Sequence, residues 1–173
     1  MKMHLSCLVL PSLAIILASF NACKPHVSGT TSSDREAAAA IMQEVDAAWN
    51  ARDAARFSAV FAEDGNFQFP VEGIALRGRD EIRRHYAKQF ATVPPDLRHV
   101  STIGEIDVIG PGILAVAVQV DILAIDPKTG AAQTLLHYDG LGLGVRTDSG
   151  WRIRLVRLYP VAKSLAAATR AAK

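Results

Sequence analysis

Four side chains in the second half of the chain could act together in acid–base chemistry, namely those of His99, Asp121, His137 and Asp139. A histidine beside an aspartate can serve as a general base, because the carboxylate orients the imidazole and favours its protonated form. These residue types also bind metal ions, but no His or Cys spacing matches a recognised metal motif, and we expect no metal. The strand pattern described below places all four on the outer face of a sheet. We therefore interpret them as a solvated or subunit-contacting surface, with a functional role as the alternative.

Arg157 is a second candidate, because it is a charged residue in a strand row that is otherwise apolar. A buried guanidinium requires a partner, since an unpaired charge is costly in apolar surroundings. Asp64 is the expected partner, while Tyr138 and Tyr159 flank the arginine and Thr102 lies two strands away. Arg157 is then either a structural contact at the mouth of a pocket or the anchor of an acidic or carbonyl group on a ligand.

Three glycines alternate with leucines in the segment 140–144. The run does not predict a nucleotide-binding loop, because no helix follows it whose N-terminus could bind phosphate. On the inner face of a sheet, these glycines would remove side chains. They serve either sheet curvature and close packing, or they leave room for a ligand.

Three helices are predicted before the strand-rich half of the chain. Ser33 and Glu36 form a capping-box pattern that starts the first helix, which carries apolar residues at helical spacing. Asp53 is the expected N-cap of the second helix. The third helix begins near Arg79 with acidic residues in its first turn, and the pair Pro94-Pro95 ends it.

Four strands are predicted in the second half, over residues of about 97–109, 113–125, 133–146 and 151–159. Glycine, proline and short polar segments separate them, as turns between antiparallel strands require. A short earlier strand contains Phe67 and Phe69, which alternate with polar residues. Helices first and a meander of strands last indicate an α+β fold.

The register of these strands divides their residues between two faces. If Arg146 pairs with Trp151, alternation gives one face that is almost wholly apolar, and we expect this face to turn inward. Its members are Val100, Thr102, Ile106, Val108, Val116, Val118, Val120, Ile122, Tyr138, Gly140, Gly142, Gly144, Ile153, Leu155, Arg157 and Tyr159. The outer face receives His99, Ser101, Glu105, Asp107, Gln119, Asp121, His137, Asp139, Arg152 and Arg154. A single bulge would exchange part of this assignment.

Residues 48–67 carry the most informative pattern in the chain. In this segment one helix ends at Trp49-Asn50, a second helix starts at Asp53, and a strand begins at Asp64-Gly65. This segment resembles the opening of the NTF2-like folds, a superfamily that includes SnoaL-like cyclases and ketosteroid isomerases. The resemblance implies the order α-α-β-β-α-β-β-β-β, with three N-terminal helices packed on a curved, mostly antiparallel sheet that forms a cone around a pocket.

The chain departs from the ketosteroid isomerases at the positions that carry their chemistry. Those enzymes keep a catalytic aspartate immediately before Pro-Val, and here Phe69 precedes Pro70-Val71. Their oxyanion-hole tyrosine corresponds to about Val45. Phenylalanine cannot accept a proton and valine cannot donate a hydrogen bond, so we do not expect isomerase chemistry of that type. The resemblance is closer to SnoaL-like, ketosteroid-isomerase-like proteins of uncertain function.

Three hypotheses about function follow, and none requires a cofactor. The first is a protein without an identifiable catalytic acid–base pair that binds a small hydrophobic ligand through Trp49, Phe69, Tyr86, Thr102, Val118, Tyr138 and Arg157. The second is a cofactor-free SnoaL-like lyase, isomerase or cyclase acting on a small carbonyl compound, with Asp64 or a displaced carboxylate as base and Tyr138 or Tyr86 as donor. The third is an envelope assembly partner whose cone is filled by side chains.

The N-terminal segment predicts export. Residues 1–22 combine a positive start with an apolar run that fits a signal peptide better than a membrane span. Cys23 follows Ala22 as in a bacterial lipoprotein signal, and lipid attached there would anchor the chain to a membrane of the cell envelope. We assign residues 23–33 to a polar tether, 34–162 to the NTF2-like domain and 163–173 to an alanine-rich basic tail.

The composition of the chain indicates which kinds of binding partner to expect. The chain has 19 Lys and Arg against 17 Asp and Glu, interspersed along the sequence, and this balance does not predict nucleic-acid binding. Cys7 would be removed with the signal, so we expect no disulfide. Leu135, Leu141 and Leu143 share the outer face with its polar residues, and we therefore expect a homodimer through that face.

Overall fold

The described part of the chain, residues 31–161 of the computed structural model, begins at the N-cap of a helix. Helix α1 spans Ser32–Asn50. The Asp34 N–H donates to Oγ1 of Thr31 at 3.1 Å, and the Thr31 N–H donates to Oδ2 of Asp34 at 3.3 Å. The capping box is therefore Thr31 with Asp34, and the predicted pair of Ser33 and Glu36 was wrong by two residues. An aspartate at the third helical position closes the box as a glutamate would.

Two shorter helices follow where the sequence predicts them. Helix α2 spans Ala54–Ala59, and Oδ1 of Asp53 accepts from the Arg56 N–H at 2.9 Å, which confirms the predicted cap. Helix α3 spans Arg79–Phe90 and buries Ile82, Tyr86 and Phe90 on one side. Gly78 precedes it with a φ of 81°, a left-handed conformation that favours glycine.

Six strands form one curved sheet in the order β2-β1-β6-β5-β4-β3. The strands are β1 (Phe61–Phe69), β2 (Ile74–Arg77), β3 (Leu97–Gly110), β4 (Ile113–Ile125), β5 (Ala132–Thr147) and β6 (Gly150–Pro160). Only the β1–β6 pair is parallel. The α+β class and the four late strands are confirmed. The short strand β2 was not predicted from the residues, although the order implied by the resemblance includes it.

A bulge in β6 changes the predicted inner face. Arg146 pairs with Trp151 and Gly144 with Ile153, as predicted, but the register then shifts by one residue. Beyond the shift, Gly142 pairs with Val156, so that Val156 and Leu158 are buried while Arg157 and Tyr159 are exposed. The prediction that Arg157 belongs to the inner row was therefore wrong, because one extra residue exchanges the faces of all that follow.

Strand β3 contains a second bulge, between Ile103 and Ile106. Ile106 and Val108 lie inward as predicted, but the residues before the bulge are exchanged. His99 and Ser101 pair with Ile122 and Val120 of the inner face, whereas Val100 and Thr102 lie on the outer face. The predictions that His99 and Ser101 face outward and Thr102 inward were wrong for this reason.

The core lies between the helices and the concave face of the sheet. Its larger cluster combines aliphatic residues with six aromatic ones, namely Trp49, Phe57, Phe61, Phe67, Tyr86 and Phe90. Several ring pairs meet edge to face, such as Trp49 and Phe90 at a centroid distance of 5.8 Å. In residues 31–161, no helix has the length and apolar character needed to cross a bilayer. The predicted signal segment 1–22, Cys23 and the tail 163–173 lie outside the described residues.

Candidate functional site

A cavity of about 210 Å³ lies between α1, α3 and the inner face of the sheet. Its wall is made almost entirely of aliphatic and aromatic side chains, contributed mainly by the three helices, β1 and the four late strands. Five of the seven residues predicted to bind a ligand line it, namely Trp49, Phe69, Tyr86, Val118 and Tyr138. Their placement in the pocket agrees with the prediction, while ligand binding itself stays a prediction.

One residue of the cavity wall, His99, belongs to a histidine–aspartate pair that was not predicted. His99 lines the cavity, and its Nδ1 lies 2.8 Å from Oδ1 of Asp46 on α1. Ser101 supports the same carboxylate, since its hydroxyl donates to Oδ1 at 2.7 Å and its backbone N–H donates to Oδ2 at 3.0 Å. Asp46 is thus held by three hydrogen bonds from one strand.

The backbone of His99 is fixed to α1 as well. The His99 N–H donates to Oδ1 of Asn50 at 2.8 Å, and Nδ2 of Asn50 donates to the His99 carbonyl at 2.9 Å. The Trp49 ring lies against the imidazole at a centroid distance of 5.3 Å. These contacts leave the histidine little freedom to rotate, and its side chain is only 8% exposed.

The hydrogen bond to Asp46 determines which ring nitrogen of His99 carries the proton. Burial acts to raise the pKa of Asp46, but the hydrogen bonds from His99 and Ser101 outweigh it and hold that pKa below the usual value for an aspartate. A carboxylate only accepts hydrogen bonds, so in the neutral imidazole the proton is assigned to Nδ1. The unprotonated Nε2 is then the ring nitrogen that can accept a proton.

Two tyrosines supply hydroxyl donors to the same cavity. Burial raises the pKa of Tyr86, with a further contribution from Tyr138, so its hydroxyl stays protonated. Burial also raises the pKa of Tyr138, helped by the negative charge of Glu72. Strand register puts the Cα atoms of His99 and Tyr138 on one face with β4 between them, roughly 12 Å apart. Their side chains can therefore approach one ligand from two sides.

Three predicted site residues lie away from the cavity. Asp64 is on the surface, where its carboxylate pairs with Nη2 of Arg154 at 2.9 Å and its side chain is 70% exposed. Arg157 is exposed, and its Nε donates to Oε1 of Gln68 at 2.9 Å rather than meeting Asp64. Thr102 is exposed on the outer face. Placing these three in the pocket was wrong, and the bulges in β3 and β6 explain Thr102 and Arg157.

The other members of the predicted His–Asp cluster do lie on the outer face. His137 Nδ1 is 2.7 Å from Oδ1 of Asp121, and its Nε2 is 3.7 Å from Oδ1 of Asp139. Gln119 donates to Asp139 at 3.2 Å. In the part of the chain that the structure describes, no group of His, Cys, Asp and Glu side chains has the arrangement of a metal site.

The glycines of β5 differ in how closely other atoms approach them. A Cβ at Gly140 would lie 2.5 Å from the Arg157 carbonyl oxygen, so close strand pairing requires glycine there. A Cβ at Gly142 would meet nothing nearer than 3.8 Å. Gly142 and Gly144 line the cavity, and their missing side chains widen it.

The sequence contained a signal for Asp46 that was not used. Asp46 follows Val45 and precedes Trp49 by three positions, so it borders the stripe that α1 buries. A carboxylate beside a buried stripe requires a polar partner on the facing element. Identifying His99 as that partner required the β3 bulge between Ile103 and Ile106. Gly104 was its local signal, because an isolated glycine within a strand often marks a bulge.

Solved structures share this fold at low sequence identity. A domain of unknown function with a cystatin-like fold from Nostoc punctiforme is 22% identical, with a TM-score of 0.66 over 82% of this chain and 86% of that chain. An uncharacterised protein with a cystatin-like fold from Caulobacter vibrioides is 27% identical, with a TM-score of 0.62 over 76% and 92%. A ketosteroid isomerase-like protein from Erwinia carotovora atroseptica is 18% identical, with a TM-score of 0.59 over 76% and 99%.

No curated protein matches the sequence. The family model of the SnoaL-like domain matches residues 42–162, which include α1 from Met42 onward, all later elements and both members of the Asp46–His99 pair. The chain therefore belongs to the SnoaL-like domain family.

Proposed function

We propose that this domain binds a small, uncharged carbonyl compound in its cavity and removes a proton from it without a cofactor. The observation that carries the proposal is the Asp46–His99 pair, with 2.8 Å between Oδ1 and Nδ1, whose histidine lines a mainly apolar cavity. A histidine oriented by a carboxylate is a common general base. The proposal favours the lyase or isomerase hypothesis, with His99 rather than Asp64 as the base.

The proposed step transfers one proton. Nε2 of His99 accepts a proton from the carbon next to the carbonyl, and the C–H electron pair moves to form an enolate. Asp46 stabilises the resulting imidazolium through Nδ1, while a hydroxyl of Tyr86 or Tyr138 donates to the enolate oxygen. Return of the proton to a different carbon gives an isomer, and departure of a group from the β-carbon gives an elimination product.

The composition of the wall supports an uncharged ligand. Among residues 31–161, no Lys or Arg lines the cavity, so an acidic group would enter without a counter-ion at high cost. A ketone or aldehyde requires only a hydrogen-bond donor, which either tyrosine can supply. Arg157, which had been expected to anchor an acidic group, lies on the opposite face of the sheet.

Exchange of carbon-bound protons with solvent tests the proposed chemistry directly. We expect the protein to speed deuterium uptake into the α-carbons of 2-pentanone in D₂O, measured by proton NMR. His99→Asn should lower the rate by a factor of about 10² to 10⁴, since a positioned general base contributes that much. Thr102→Val, a similarly sized change on the outer face, should leave the rate unaltered. Equal rates for wild type and His99→Asn would refute the proposal.

A binding function without turnover is the second candidate. It is favoured by the predominance of apolar side chains in the wall, which would hold a hydrophobic ligand without chemistry. The two functions differ in one measurement. If 2-pentanone binds by NMR line broadening but exchanges no faster than with His99→Asn, the domain is a carrier or receptor rather than an enzyme.

We also propose that the protein is exported and held at a membrane by lipid on Cys23. The support is the sequence of residues 1–23, with its apolar run and the small residue before the cysteine. Cys23→Ser should move the protein from the membrane fraction to the soluble envelope fraction. Cys7→Ser is the matched control, because Cys7 lies within the predicted signal, and its fractionation should equal that of wild type.

A further inference from the structure

The C-terminal end of α1 pairs with the free edge of strand β3. This strand lies at one edge of the sheet, and an edge strand leaves the backbone groups of alternate residues without a strand partner. Here the Ser101 N–H donates to Oδ2 of Asp46 at 3.0 Å. The N–H and the carbonyl of His99 both bond to the side-chain amide of Asn50. Side chains of α1 therefore hold two alternate residues of β3 by their backbone.

Arg52 extends this pairing toward the start of β3. Its Nη2 donates to the carbonyls of Leu97 at 2.9 Å and Pro94 at 2.8 Å, and its Nη1 donates to the Trp49 carbonyl at 2.9 Å. The Leu97 carbonyl lies two residues before His99 on the same strand. The guanidinium also lies over the Trp49 ring, 4.3 Å from its centroid, and that ring lies against the imidazole of His99. Arg52 thus joins the end of α1 to the start of β3.

The backbone of Arg52 has a conformation that arginine rarely adopts. Its φ is 58°, and among residues 31–161 it is the only residue other than glycine with a positive φ. Burial lowers the pKa of its guanidinium, and the nearby charge of Arg98 adds to this effect, although the group stays charged. Strained residues of this kind persist where the surrounding contacts over-determine them, and they cluster at functional sites.

We infer that Arg52 is a positioning residue for His99. The inference rests on the proposed function for the role of His99 as a base. The guanidinium holds the strand just before the imidazole, through the Leu97 carbonyl, and the ring beside it, through Trp49. Both contacts keep Nδ1 of His99 at the carboxylate of Asp46. Arg52 does not line the cavity, so it acts on a ligand only through these neighbours.

The variant Arg52→Gly tests this role at little cost to folding. It loses three hydrogen bonds, but glycine adopts the left-handed conformation freely, and we expect the melting temperature to change little. The NMR shifts of the ring nitrogens report which nitrogen of His99 carries the proton, and signals absent from His99→Asn belong to this residue. Wild type should show one tautomer, with the proton on Nδ1, whereas Arg52→Gly should show a mixture of both tautomers.

Deuterium uptake into 2-pentanone is the second readout. We expect Arg52→Gly to lower kcat by about tenfold, because a displacement of 1 Å can cost up to about 10²-fold. KM should stay near the wild-type value, since Arg52 does not touch the ligand. Arg52→Lys keeps the charge but lacks the planar fork that reaches several carbonyls. It should give intermediate rates and shifts, and it carries the test if Arg52→Gly does not fold.

Arg98→Ala is the matched control. Arg98 also donates to the Leu97 carbonyl, at 2.9 Å, and to the Pro95 carbonyl, at 2.7 Å. Its side chain is exposed, however, and within the described residues it donates to no group of α1. Shifts and rate should therefore equal those of wild type. His137, whose Nδ1 pairs with Asp121 on the outer face, is an internal reference that should not change in any variant.

The outcomes separate this inference from the proposed function. Wild-type shifts of His99 in Arg52→Gly, or an equal change in Arg98→Ala, would overturn the positioning role. So would an unchanged rate in Arg52→Gly when wild type catalyses exchange through His99, and the proposed function would then stand. If wild type does not speed exchange but the His99 shifts change in Arg52→Gly alone, the proposed function is refuted and the positioning role stands.

Discussion

At the residue scale, the carboxylate of Asp46 determines the state of the site. Three hydrogen bonds from His99 and Ser101 stabilise its charged form. These bonds join α1 to β3, so they contribute to the folded state as well as orienting the imidazole. Asp46 is a positioning residue, because it acts on a ligand only through His99.

Replacing Asp46 by Asn should weaken the fold in a pH-dependent way. At pH 7 we expect a loss of about 1.5–3 kcal/mol in the free energy of unfolding, the range for hydrogen bonds to a charged group. The folded-state pKa of Asp46 is lowered, so its stabilisation is present at neutral pH and is lost as pH falls through that pKa. Urea unfolding of both proteins should therefore show a difference that persists down to the usual aspartate pKa of 3.8 and closes only below it.

Asp139→Asn is the matched control for that measurement. Asp139 is an exposed aspartate on the outer face, and its replacement should change unfolding far less at pH 7. A difference between wild type and Asp46→Asn that does not shrink as the pH falls below 3.8 would contradict the role assigned to the carboxylate.

At the scale of elements, two overlapping capping boxes can be compared at the start of α1, the observed pair of Thr31 and Asp34 and the predicted pair of Ser33 and Glu36. Thr31→Ala removes the hydroxyl that accepts from the Asp34 N–H, and we expect a loss of about 1 kcal/mol in the free energy of unfolding. Ser33→Ala changes the residue first predicted as the cap, which lies inside the helix, and stability should stay the same or rise slightly. Chemical denaturation measures both, and a larger effect at Ser33 would restore the original prediction.

Strand β5 offers a second matched pair. Gly140→Ala forces a Cβ to within 2.5 Å of the Arg157 carbonyl oxygen, and we expect destabilisation of about 2 kcal/mol or more from overpacking. Gly142→Ala meets no close contact and reduces the conformational freedom of the unfolded chain, so a gain of up to about 0.5–1 kcal/mol is expected. The melting temperatures should therefore move in opposite directions, and equal shifts would mean that the β5–β6 pairing differs from the one described.

At the scale of the whole molecule, the outer face of the sheet is the expected contact between two copies of the chain. Leu141 and Tyr159 on this face are 48% and 45% exposed, beside the pair of His137 and Asp121. Large apolar side chains among polar ones are typical of a subunit interface. We expect light scattering to give twice the monomer mass, and Leu141→Asp to give a monomer.

Val71→Asp serves as the control for the dimer. Val71 is 62% exposed in the turn between β1 and β2, away from the sheet face, so the same substitution there should preserve the dimer. A monomeric wild type, or a dimer that persists in Leu141→Asp, would refute the outer face as the dimer interface.

The sequence alone determined the local elements of this protein. Capping residues, helical spacing and turn residues are contacts within a few positions, so α2, α3 and the four late strands could be predicted closely. Four aromatic residues that were predicted from the sequence to lie in the pocket do line the cavity, namely Trp49, Phe69, Tyr86 and Tyr138.

Only the tertiary structure decided which polar side chains enter the pocket. The bulges in β3 and β6 each exchange the two faces of a strand, moving His99 inward and Arg157 outward. Asp46 and His99 are 53 positions apart in sequence, and they meet only because α1 packs across the sheet in this register. Gly104 within β3 indicates that a bulge can form there, but the pairing of β3 with β4 determines its register. The placement of the polar side chains was therefore decided by packing.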